Sequence, residues 1–127
     1  MQPKRFMVFA KVKIICHGAR ALRIGERLLH KIRKQYGQSF ENLKLDSLIS
    51  YPDDMQKLDT ECDAVVQIAY EPTTMCELER LNEKYKRQRC ITFVLGEKSE
   101  KATSLCFCAS ENELFSQFIK FYFQTEE

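Results

Sequence analysis

The run KVKIICHGARALRIGERLLHKI, Lys11 to Ile32, constrains the fold more than any other part of the chain. An apolar strand-like segment reaches Gly18, and a helix-periodic segment begins at once. A buried strand that feeds directly into an amphipathic helix is the first half of a βαβ unit. Such a unit commits its strands to a parallel sheet with helices packed over it. In the helical part, Leu22, Gly25, Leu28, Leu29, Ile32 and Tyr36 fall on one face. The periodicity predicts a helix from about Arg20 to Tyr36, closed by Gly37.

The rest of the chain keeps alternating. FMVFAKVKIIC reads as the strand before that helix, and NLKLDSLISY as a second strand near an edge. PDDMQKLDTE reads as a short helix or loop, and DAVVQIAY as a buried strand. Thr73 or Thr74 caps a helix running to about Gln88, with Met75, Leu78, Leu81 and Tyr85 on one stripe. CITFVLG and SLCFCA are two more strands, and Ser110 with Glu113 forms a capping box for a last helix from about Glu111 to Gln124. No repeat or linker divides residues 1–127, so a single domain is expected. The expected fold is α/β and three-layered, a mainly parallel five-stranded sheet with helices on both faces. One connection is too short for this scheme: only EKSEKAT separates Gly96 from Ser104. A parallel crossover takes about a dozen residues or more, so the last strand is expected to pair antiparallel or to join elsewhere by a short loop.

No apolar run approaches the ~20 residues of a membrane-spanning helix. MQPKRFMVFAKVKII is basic and then apolar, but it has no small-residue cleavage site and is read as lead-in and strand. The six cysteines show no C-x-x-C spacing, and five of them lie in or beside apolar runs. They read as reduced, buried thiols, which places the chain in a reducing compartment, nucleus or cytoplasm.

The glycine junction invites comparison with a phosphate-binding P-loop, G-x-x-x-x-G-K-[ST]. Counted from Gly18, the second glycine position holds Arg23, the lysine position Ile24 and the hydroxyl position Gly25. Neither the close backbone approach nor the charge that phosphate requires is supplied. Yet GARALRIGERLLHKI resembles a GTPase first loop and helix with its chemistry removed. DAVVQIAYE is similar to the GTPase strand D-A-V-(I/V)-x-V-Y-D. FVLGEKSE is similar to the guanine-reading VLVGNKxD, with Glu97 and Glu100 in place of Asn and Asp, and FCASENELFSQFIKFY resembles the closing strand, loop and helix. The segment from Gly18 to Asp63 is shorter than normal switch regions need, and the helix before the last strand is missing. The resemblance implies a pseudo-GTPase of the type of centromere protein M and the alpha- and gamma-adaptin-binding protein. It implies no cofactor and no catalysis, but a structural subunit or adaptor in a multiprotein complex such as the inner kinetochore.

A second resemblance leads elsewhere. AYEPTTMCELERL is similar to the S-x-W-C-x-x-E-L stretch of Toll/interleukin-1 receptor (TIR) domains, with Cys76 and Glu79 at its Cys and Glu. It implies a signalling adaptor or an NAD hydrolase with Glu79 as the catalytic carboxylate. Met75 stands where that pattern has Trp, and its other signatures are missing. A solvated helix glutamate, in an acid-first, base-last helix, accounts for Glu79 as well.

Charge is uneven. Residues 1–45 hold 11 Lys/Arg against 2 Asp/Glu, and the remainder 9 against 16, for a net +2. Arg20, Arg23, Arg27, Lys31 and Lys34 form a stripe on the first helix at spacings of 3, 4, 4 and 3. Like charges so placed repel one another unless a partner supplies anions. No aromatic residues interleave for base stacking, so protein subunits with an acidic surface rank above nucleic acid as partners. The last helix has more apolar residues than one face can bury. Ile119, Phe121 and Phe123 are the surplus: either the sheet wraps around the helix to cover them or they meet another subunit, and the second is the expectation.

Overall fold

The computed structural model describes residues 4–7, 11–36, 47–70, 75–96 and 106–126. In chain order the elements are β1 (Lys4–Met7), β2 (Val12–His17), α1 (Ala19–Tyr36), β3 (Ser47–Tyr51), β4 (Ala64–Tyr70), α2 (Met75–Lys84), β5 (Arg89–Leu95), β6 (Cys106–Cys108), α3 (Glu111–Tyr122) and β7 (Phe123–Glu126). A single 3-10 turn, Met55–Lys57, lies between β3 and β4.

Five strands form an all-parallel sheet in the order β3-β2-β4-β5-β6. Alternation along each strand sorts side chains to two faces. Val12, Ile14, Cys16, Val66, Ile68, Phe93 and Cys108 pack under α1 and α3, against Ile24, Leu28, Ile32, Leu114 and Phe118. Ile15, Ile49, Val65, Ala69 and Val94 lie on the opposite face with Leu78, Leu81 and Tyr85. This is the expected three-layer arrangement. Counted from β2, the strands run 2-1-3-4-5, the order of doubly wound folds whose ligands bind where the winding reverses, here between β2 and β4.

The antiparallel expectation for the last strand is corrected. β6 is parallel to β5, with Phe93 opposite Cys106 and Leu95 opposite Cys108. Parallel pairing carries the chain to the sheet's carboxyl edge, from which α3 turns back to lay Leu114 and Phe118 on the core beside α1. Residues 97–105, which make the connection, lie outside the described residues. Ser110 caps α3 as expected, and only the reciprocal bond of the capping box falls one residue early, on Ala109. Glu113 N–H donates to Ser110 Oγ at 3.2 Å, while the Glu113 carboxylate accepts from the Ala109 N–H at 2.9 Å.

Other boundaries also move. The first strand-like run divides into β1 and β2, and the last helix stops at Tyr122 because the chain continues as β7. β1 and β7 form an antiparallel ribbon, Met7 opposite Phe123, that joins the two ends of the chain. On α1 the buried face is centred on Ala21, Ile24, Leu28 and Ile32, while Leu22 is half-buried. Gly25 is where α1 comes nearest the sheet: a Cβ there would lie 2.8 Å from both Cys16 Sγ and Leu48 Cδ1. No full helix covers the sheet between β3 and β4. Instead, Lys13 reaches from β2 to the Lys57 carbonyl at 2.9 Å and to Asp59 at 3.0 Å, tying down a turn that buries Leu58.

Candidate functional site

At the junction of β2 and α1, Gly18 has φ +94°. Nothing lies within 4 Å of where its Cβ would be, so glycine serves the backbone angle here and not a close approach. Its N–H donates to the Tyr51 carbonyl at 3.3 Å, and its own carbonyl accepts from Leu22 N–H at 3.0 Å to start the helix. The first amide of the loop therefore points to β3. Ile24, at the position of a P-loop lysine, is 2% exposed in the core, and Gly25 is the packing contact described above. Glu97, Glu100, Gly37, Thr73 and Thr74 lie outside the described residues.

The basic stripe divides into two groups. Arg27 forks onto Glu111 of α3, its Nε donating to Oε2 at 2.9 Å and its Nη2 to Oε1. This pairing raises Arg27's pKa and lowers that of Glu111. Lys31 donates to Asn112 Oδ1 at 3.3 Å and lies 5.2 Å from the Phe115 ring centre. Arg20 lies over Tyr70 at 4.1 Å, a cation–π contact at the winding reversal. Arg23 and Lys34 are exposed, and neither makes an ion pair or hydrogen bond among the described residues. Three of the five cations are thus already engaged inside the molecule.

The apolar surplus of α3 is smaller than its sequence suggests. Ile119 and Phe121 are half-buried and pack against the core shared with α1. Phe123 opens β7, and its side chain lies outside the described residues.

Sequence reasoning missed a polar relay on the α2 side. Gln67, in the central strand β4, is 0% exposed. Its Nε2 donates to the Leu78 carbonyl at 3.2 Å and to Asn82 Oδ1 at 2.8 Å. Thr92 and Cys90 also donate to Asn82 Oδ1, at 3.2 Å and 3.6 Å. The Leu78 carbonyl can only accept, so the amide orientation is fixed and Gln67 Oε1 must face His17. His17 Nε2 lies 2.7 Å from Oε1 and so carries the hydrogen. Among the described residues no hydrogen bond engages the other ring nitrogen. The ring tilts over Tyr51, with centroids 5.0 Å apart. Burial lowers the His17 pKa, opposed by the Gln67 bond and the Glu77 charge, and hydrogen bonding to Glu77 raises that of Tyr51. The signal in the sequence was the single glutamine inside AVVQIAY, a polar residue at a position flanked by apolar ones on both sides.

Glu79 is exposed, and it makes no hydrogen bond or ion pair among the described residues; the engaged acids of α2 are Glu77, beside Tyr51, and Glu83, paired with Lys86 at 3.0 Å. Cys16 and His17 point to opposite faces, and all six cysteines are free thiols. Burial pushes Cys16 and Cys108 up to about 12 and Cys90 to about 11, so these three are protonated near neutral pH. Among the described residues no cluster of three His, Cys, Asp or Glu side chains is placed to hold a metal, and no helix is long and apolar enough to cross a membrane. No protein-family model, curated protein or solved structure matches the chain.

Proposed function

We propose that this protein is a non-catalytic subunit or adaptor of a multiprotein assembly, GTPase-like in architecture and without a nucleotide site. One observation carries the reading: the position that would present a lysine to phosphate is Ile24, which is buried in the core under α1. A side chain there cannot reach a ligand at the sheet's edge without unpacking the helix. Two features beside it agree with this. Gly18's amide is committed to Tyr51, and the half-turn that would approach a phosphate carries Arg23, whose side chain prevents the close backbone contact. The two cations left open on α1 supply a surface for protein partners. The resemblance to the centromere protein M type makes the inner kinetochore, and hence the nucleus, the assembly to test first.

Titration calorimetry with GTP or GDP and magnesium tests the loss of the nucleotide site. No heat is expected at concentrations where working GTPases saturate, and micromolar binding would sink the proposal. Affinity purification of the full chain from its native cell tests the assembly. Co-purification of kinetochore subunits supports the specific form, and recovery of receptor-signalling components would move the reading to a TIR-like adaptor.

A further inference from the structure

Arg23, Arg27, His30 and Lys34 recur on α1 at spacings of 4, 3 and 4, and all are exposed. At 100° per residue they occupy a strip about 60° wide along the outer face of the helix. The edge of the strip toward α3 shows what this helix does with carboxylates: Arg27 grips Glu111 side-on, through Nε and Nη2. Arg23 and Lys34 carry the same kind of charge along the same strip and have no carboxylate among the described residues. The one acid of α1, Glu26, makes no ion pair with either.

We infer that the row Arg23–His30–Lys34 is a docking site for a short Asp/Glu-rich segment of a partner protein, which lies along α1 beside the Arg27–Glu111 clasp. The inference rests on the reading of the chain as an assembly subunit and specifies which face of it is used. Charge distribution favours a short acidic segment over a nucleic acid. A long polyanion responds to the field of the whole molecule, whose net charge is only +2 and whose residues 46–127 carry 9 Lys/Arg against 16 Asp/Glu. A short segment needs only the row. Arg27 and Lys31 are not the primary contacts, because a partner must first displace Glu111 and Asn112 to use them.

Fluorescence anisotropy of the full chain with a labelled short oligoglutamate peptide, at low and high salt, tests this against a duplex DNA of matched charge. Arg23→Gln with Lys34→Gln should weaken peptide binding about tenfold at low salt and leave the melting temperature unchanged. Arg27→Gln with Lys31→Gln should lower the melting temperature and weaken peptide binding less. The inference is overturned if the peptide fails to bind at low salt, if DNA binds more tightly than peptide, or if the clasp pair of substitutions costs as much affinity as the row pair. None of these results depends on nucleotide binding, so a silent GTP titration beside a failed peptide titration removes the docking row and leaves the loss of the nucleotide site standing.

Discussion

Under α1 and α3 the sheet presents Val12, Ile14, Cys16, Val66, Ile68 and Phe93, whereas under α2 the same strands present Lys13, Gln67 and Thr92 among Ile15, Val65 and Ala69. The first face is held by volume and contact. The second contains groups that cost free energy unless each finds its partner. Apolar alternation tolerates a slip of two residues, since the same face stays buried. The relay does not tolerate it, because Gln67 must sit opposite Thr92 on one side and Ile15 on the other, with His17 two residues beyond. The apolar face supplies most of the burial, and the polar face fixes the register in which that burial occurs.

The largest effect should come from the apolar face. Phe118 is 0% exposed, and Phe118→Ala should lower unfolding free energy by about 3–5 kcal/mol, read from the urea midpoint. A loss near that of a surface substitution would mean α3 is not part of the cooperative core. Gln67→Leu keeps the volume but takes the only acceptor from His17 Nε2, while Asn82 Oδ1 keeps Thr92 and Cys90 and the Leu78 carbonyl keeps its place in the helix. Leaving the His17 N–H without its partner should cost about 1–3 kcal/mol. If the relay fixes register, this variant should also show faster amide exchange in β4 and β5. Unchanged exchange would reduce the relay to ordinary packing.

Gly25→Ala probes the closest approach on the apolar face. The added methyl meets Cys16 and Leu48 at 2.8 Å, and overpacking of this kind costs about 1–3 kcal/mol, offset by up to ~1 kcal/mol of helix propensity. Leu48→Ala in the same chain should recover part of the loss, and strict additivity would show that the helix shifts instead.

The smallest effect concerns His17. Its pKa is lowered on folding, so between that value and the ordinary 6.5 the unfolded chain holds more protons than the folded one. Stability from this group is fully present above 6.5 and is lost as pH falls through the folded value. Urea midpoints measured across that window should fall toward acid, and His17→Gln should flatten the slope. An equal slope in the variant would assign the acid sensitivity elsewhere.

The βα junction, the alternation of elements, the three layers and the capping role of Ser110 were legible in the sequence because each is local: periodicity, a glycine or a hydroxyl at a fixed spacing. The failure of the phosphate motif was legible for the same reason, since Arg23, Ile24 and Gly25 occupy three consecutive positions. What only tertiary structure decided depends on residues far apart in the chain. The parallel sense of β6, the β1–β7 ribbon, the clasp of Arg27 on Glu111 and the Gln67 relay each join elements whose contact no local pattern records. On α1 the sequence determined that five cations share a side of the helix. Folding determined that three of them would be engaged by Tyr70, Glu111 and Asn112, because α3 and β4, distant in the chain, come to rest within reach of α1.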